Sequence, residues 1–224
     1  MNEKNILSTI EKLESKRKFD EGIDLIINLK NFDVKKETLD VFVEIPFPPS
    51  QRKICLFAEK QAAEAEGVVD RIITKDQFTV FDKRKAKTLA KTYDVFIAVA
   101  PVMPSVASSF GKILGPRGKM PSPQVGAVIV KLDEKSLKDL VARLRKTLRL
   151  RAKSELSIKV SIGKSSMKLE EVLANLKAVY DAIVRGLPKG EESIKSILIK
   201  RTMSKPVKIS NEILEKQVKQ RKIR

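Results

Sequence analysis

The sequence has no histidine and no tryptophan, a single cysteine, and far fewer acidic than basic residues. The missing imidazole excludes histidine general acid–base chemistry and any His-ligated metal. The one cysteine, Cys55, lies in the apolar run "ICLFA", where a small buried hydrophobe is expected rather than a nucleophile. It cannot form an internal disulfide, which fits a reducing cytoplasm. No run approaches eighteen consecutive apolar residues, so no membrane span is expected. The charged opening "MNEKNILSTIEKLESK" reads as an amphipathic helix and not as a signal peptide. Aromatic residues make up only 5%, too few for a single-strand binder built on aromatic platforms.

What is present is positive charge. Lys and Arg total 46 against 28 Asp and Glu, a formal net charge of +18. A small domain needs only ~2–8 net charges for solubility, so the excess points to a polyanionic partner. The 224 residues, 42% of them hydrophobic, suffice for one large domain or two small ones with real cores.

Patterning divides the chain. Ile23, Leu25, Ile27 and Leu29 alternate in "GIDLIINLK", and Leu39, Val41, Val43 and Ile45 in "TLDVFVEI". These are half-buried strands, expected to be antiparallel neighbours across the basic loop "NFDVKKE". After the proline-rich break "PFPPSQRK", strands become continuously apolar, "KICLFAE" and "DVFIAVA", and alternate with helices expected in "EKQAAEAEG", "DKRKAKTLAKTY", "MPSVASSFGKIL" and "SLKDLVARLRKTLR". That grammar belongs to strands covered on both faces in an α/β layer. Alternation returns at Leu156, Ile158, Val160 and Ile162, followed by the periodic helix "LEEVLANLKAVYDAIVRG", one or two strands in "SIKSILIKRTMSKPVKI" and a basic tail. The expected fold is mixed α/β and α+β. Residues 1–53 and 153–224 form an antiparallel α+β domain, residues 54–152 an inserted three-layer α/β domain, and the crossings near 50–53 and 150–153 a double hinge.

The stretch "GKILGPRGKMPSP" has the glycine and lysine of a phosphate cradle, but the spacing fails. A phosphate loop ending at Gly118-Lys119 requires glycine at Ile113 and a hydroxyl at Met120; one ending at Gly163-Lys164-Ser165 requires glycine at Ile158. "GPRG" matches the G-x-x-G clamp of KH modules, yet Pro121 and Pro123 forbid the helix that should follow. A rigid loop is expected, with or without phosphate contact. The acidic pairs Asp20–Glu21 and Glu170–Glu171 are adjacent and do not face one another. With no nucleophile, acid–base pair or metal-ligand cluster apparent, a non-enzyme without cofactor is expected.

The remaining clusters suit nucleic acid. Lys16, Arg17 and Lys18 precede Phe19, and Lys200, Arg201, Lys205 and Lys208 surround Thr202, Met203 and Ser204. Cations contact phosphates, hydroxyls read the ribose 2′-OH, and apolar side chains accept bases. Periodicity alone favours ordinary core for Phe19 and Met203.

"KFDE", "FGKILGPRGKMPSP", "IGK" and "IKRTMSKPVKI" occur in that order, and with them nearly the whole chain resembles the large-subunit ribosomal protein L-one family in its archaeal form. The resemblance implies a discontinuous α+β domain with an inserted Rossmann-like domain, acting in the cytoplasm on the ribosome. It implies direct binding of large-subunit rRNA, a place in the mobile stalk, and assistance in releasing deacylated tRNA from the E site. It further implies repression of the protein's own operon mRNA, and a monomer off the ribosome with no membrane partner. RNA-contacting positions carried over are Lys18, Phe19, Glu21, Gly163, Lys164, Ser196, Thr202, Met203 and Ser204, the last standing where the family usually has glycine. Gly115, Arg117, Gly118 and Lys119 are candidates for contact with tRNA or with the other domain. The alternatives are a basic nucleic-acid chaperone without shape preference and a nucleotide-binding α/β enzyme.

Overall fold

The computed structural model describes residues 18–30, 39–60, 65–130, 133–152 and 155–209. The expected N-terminal helix, the loop "NFDVKKE", the body of the helix in "EKQAAEAEG" and the basic tail lie outside the described residues. In chain order the strands are β1 (Gly22–Leu29), β2 (Leu39–Glu44), β3 (Ile54–Ala58), β4 (Arg71–Thr74), β5 (Val95–Val99), β6 (Val128–Ile129), β7 (Thr147–Ala152), β8 (Ser157–Lys164), β9 (Ile194–Arg201) and β10 (Val207–Ile209). The helices are α1 (Lys83–Thr92), α2 (Met103–Leu114), α3 (Glu134–Lys146) and α4 (Leu169–Gly186). Two compact units result, residues 1–49 with 146–224 and residues 50–145.

In the first unit β1 is central. It pairs antiparallel with β8 on one side and β9 on the other, and β10 extends the sheet beyond β9. Ile23, Leu25, Ile27 and Leu29 are buried, as alternation predicts. The opposite face carries Asp24, Ile26 and Asn28 beside Lys159 and Ser161 of β8 and Ser196, Leu198 and Lys200 of β9. Helix α4 packs on β8 and β2, burying Val172, Leu176, Val179 and Ile183 with the core face of the sheet.

Two local expectations fail here. β2 does not pair with β1; its partner is β7. The sequence reads 147–149 as the end of a helix because Leu144 and Leu148 keep a four-residue spacing. Leu148, Leu150 and Ala152 are instead buried in alternation with exposed Arg149 and Arg151, a strand period. Arg149 fixes the pair: Nε and Nη2 donate to Asp40 Oδ1 and Oδ2 at 2.7 and 2.5 Å, and the guanidinium lies over the Phe42 ring. That hydrogen bond holds the Asp40 carboxyl below its usual value. The second crossing between units consequently falls at residues 145–146, ahead of the expected 150–153.

The second unit is a parallel sheet in the order β4-β3-β5-β6. Its central strand β3 is buried throughout because both faces are covered. Cys55 and Phe57 pack with α1 and α2, while Ile54 and Leu56 pack with α3. Phe57 stacks on Phe96 and meets Phe78 edge-on. Burial pushes the Cys55 thiol up to about 12, the state of an inert core cysteine. This is the three-layer α/β architecture read from the sequence. No helix among the described residues is long and apolar enough to cross a membrane.

Candidate nucleic-acid interface

Three stretches distant in sequence meet at one end of the first unit's sheet: residues 18–22, 163–166 and 201–204. Pairing sets Gly22 against Lys164 and Ile23 against Arg201. The amide of Thr202 donates to Gly22 O at 2.9 Å, and its Oγ1 donates to the same oxygen at 3.1 Å. The Ser165 amide donates to Glu21 O at 2.8 Å, while Glu21 N donates to Ser165 Oγ at 3.1 Å. Asp20 closes the turn by accepting from Ser165 Oγ, Ser166 N and Ser166 Oγ at 2.9–3.0 Å, with Lys164 Nζ 3.8 Å away. The Ser165 hydrogen bond leads in holding the Asp20 carboxyl below its usual value, helped by Ser166 and Lys164.

A β-bulge gives this end its shape. Ile23 pairs with Gly163 but Asp24 with Ser161, so Ile162 is an extra residue on β8. Gly163 then points at α4, where a Cβ would come within 2.8 Å of Val172 Cγ2. Glycine permits that approach, and the bulge re-aims Lys164 toward the rim. The Ile162 carbonyl accepts from Asn175 Nδ2 at 2.8 Å. Asn175, fully buried on α4, also exchanges hydrogen bonds with the Phe47 amide and carbonyl.

On this framework stand two exposed apolar side chains, Phe19 at 51% and Met203 at 59%. Periodicity favours core for both; the structure puts them outside because neither lies on a strand's core face. Lys18 is exposed beside Phe19, and Thr202 beside Met203. The Thr202 hydroxyl gives its proton to Gly22 O, leaving its oxygen able to accept. Apolar side chains for bases, a hydroxyl for a ribose and lysines for phosphates form a surface suited to structured RNA.

A family model described as the ribosomal protein L1p/L10e family matches residues 10–205. The chain belongs to that family. The proteins named large ribosomal subunit protein uL1 from Pyrobaculum calidifontis, Thermococcus kodakarensis and Nanoarchaeum equitans are 39%, 34% and 33% identical to it. Those alignments cover 86–87% of this chain and 86–93% of the relatives. The chain is an L1p/L10e protein of the archaeal type.

The other positions carried over from the family separate. Glu21 is only 3% exposed and faces Arg201 at 4.0 Å, so it stands beneath the rim instead of on it. Ser196 lies toward the far end of β9, opposite Asn28, whose Nδ2 donates to Ser196 Oγ at 2.9 Å. It shares the open face but not the Thr202–Met203 end. Ser204, in place of the family's usual glycine, accepts from Arg201 N at 2.9 Å and donates to Arg201 O at 3.2 Å; the hydroxyl closes the turn instead of obstructing it. Sequence reasoning missed Lys159, Ser161 and Asp24 on the open face. Their signal was available, since each alternates with the apolar residues assigned to the core.

The loop of "GPRGK" belongs to the second unit, and it ends a helix. Gly118 N donates to Gly115 O and Lys119 N to Leu114 O, both near 3 Å, and Gly118 has φ +66°. This is a Schellman stop for α2, with glycine supplying the left-handed residue. Lys119 then turns inward: Nζ donates to Ala90 O at 3.1 Å and Tyr93 O at 2.8 Å and lies 3.7 Å from Asp94. It caps the last carbonyls of α1 within its own unit. Gly115 and Arg117 remain exposed. Lys119→Met is expected to lower the second unit's stability by about 1–2 kcal/mol, from lost charge-assisted bonds and helix-end compensation. A thermal melt of the full chain, with the second unit's transition read separately, checks this.

Proposed function

We propose that this L1p/L10e protein is a constituent of the large ribosomal subunit that binds large-subunit rRNA through the β1–β8–β9 sheet end. Residues Lys18, Phe19, Lys164, Thr202 and Met203 make the contacts, while Glu21, Gly163 and Ser204 shape the surface and Ser196 extends it along the open face. The observation that carries the reading is the pair of exposed apolar side chains, Phe19 and Met203, held beside lysines and a hydroxyl at a hydrogen-bonded strand end. Charge alone would need neither side chain. In the same proposal the protein forms the mobile stalk, with the paired crossings as a hinge, and assists release of deacylated tRNA. It also represses its own mRNA by binding a leader that mimics the rRNA site.

A competition gel shift tests this, with a stalk-region rRNA fragment and the operon leader as labelled RNAs and bulk tRNA as competitor. Both labelled complexes are expected to survive excess tRNA, with the rRNA complex losing about 0.7–0.9 log units of affinity per log unit of salt for each phosphate contacted. Equal displacement of both complexes by bulk tRNA would instead identify a chaperone without shape preference.

A further inference from the structure

Helix α1 in the second unit carries Lys83, Arg84, Lys85, Lys87 and Lys91, every one of them exposed. Its buried stripe is Ala86, Leu89 and Ala90, so the cations occupy the outward side. Arg117 extends the row: the Schellman turn sets it against α1, where Nη1 donates to Lys87 O at 3.5 Å. Among the described residues Lys83, Arg84, Lys87, Lys91 and Arg117 have no ion-pair partner. The acids flanking the helix are engaged elsewhere. Asp82 caps the helix by accepting from Lys83 N at 2.7 Å, and Asp94 accepts from Lys53 N and faces Lys119.

Stability does not explain such a row. Like charges four residues apart, as in Lys83–Lys87 and Lys87–Lys91, weaken a helix. The same unit uses the favourable arrangement on α3, where Glu134 and Lys138 pair at 2.5 Å. Solubility does not require it either, given the charge on the rest of the chain. The outward side of α1 offers only Thr88 and Thr92 between the cations, without the apolar or aromatic anchors of a protein-binding surface. Cations every four residues, about 6 Å apart along the axis, match a repeating line of negative charge.

We infer that the α1 ridge, Lys83, Arg84, Lys87 and Lys91 with Arg117, is a second RNA-binding surface that grips phosphate backbone without reading bases. It differs in kind from the first unit's sheet end, having cations but no apolar or hydroxyl reader. The loop "GPRGK" thus contributes through placement: Lys119 locks it to α1 and Arg117 joins the row.

The test uses the full chain carrying Lys83→Gln, Lys87→Gln, Lys91→Gln and Arg117→Gln together. Affinity is measured over a salt series for the stalk-region rRNA fragment and for bulk tRNA. The slope of log affinity against log salt is expected to fall by about three, each of the four lost phosphate contacts contributing about 0.7–0.9. A change on the fragment alone means that both surfaces hold one RNA; a change on tRNA, with or without the fragment, means that the ridge takes a separate RNA. An unchanged slope with both RNAs overturns the inference, while Thr202→Ala and Met203→Ala still test the sheet end independently. As a second measurement on the unsubstituted chain, RNA should protect Lys87 and Lys91 from acetylation. Protection by polyglutamate but not by RNA would assign the ridge to an acidic protein and overturn the inference.

Discussion

Replacing Thr202 and Met203 together with alanine is expected to weaken binding of the stalk-region rRNA fragment roughly a hundredfold, with bulk tRNA affected less than threefold. Met203 is more than half exposed and can lie against a base, where burying the rest of its apolar surface is worth about 1–2 kcal/mol. The Thr202 hydroxyl adds about 1 kcal/mol if it accepts from a ribose. Neither substitution removes a cation, so the phosphate contribution and its salt slope should survive. The Thr202 backbone bond to Gly22 is also kept, so the strand end retains its register. Equal losses on both RNAs would place recognition elsewhere.

Asn175→Ala is expected to destabilise the first unit by about 3–5 kcal/mol. The side chain is fully buried and makes three bonds, to the Phe47 amide, the Phe47 carbonyl and the bulged Ile162 carbonyl. Each buried group left unpaired costs about 1–3 kcal/mol, and a small cavity adds to that. Ile162 directly precedes Gly163-Lys164, so the loss should also loosen the turn that presents Lys164. Urea denaturation followed separately in the two units checks this. The first unit's midpoint should fall while that of residues 50–145 stays in place, and affinity for the rRNA fragment should fall with it. A shift under 1 kcal/mol would mean that water replaces the amide.

These two sites differ in how far the sequence disclosed them. Strand alternation located β1 and β8, and the 3.6-residue stripe, closed by Gly186, delimited α4. Continuous apolar runs identified the strands covered on both faces. Pairing was not legible, because β1 finds its partners on β8 and β9, far along the chain, and not across the neighbouring loop. β7 was hidden for a different reason: Leu144 and Leu148 satisfy a helical spacing, and only the partner β2 decides between helix and strand. Phe19 and Met203 look like core in any periodicity count, since exposure depends on where a strand ends. Asn175 did leave a trace, as a lone amide inside the apolar stripe of α4, but its partners come from two other segments. The resemblance of ordered motifs supplied the candidate RNA-contacting positions that the physics of the chain alone left open. It did not show that Glu21 stands beneath the surface or that Lys119 faces inward.

The proposed function requires RNA to reach the exposed apolar rim of the first unit. Methyl NMR with labelled methionine observes this directly, because Met203 lies on the rim and Met103 and Met120 pack against the core of the second unit. Titrating the full chain with the stalk-region rRNA fragment is expected to shift the Met203 methyl resonance strongly and to leave Met103 and Met120 nearly unmoved. A saturated complex in which the Met203 methyl keeps its free position would contradict binding at this rim.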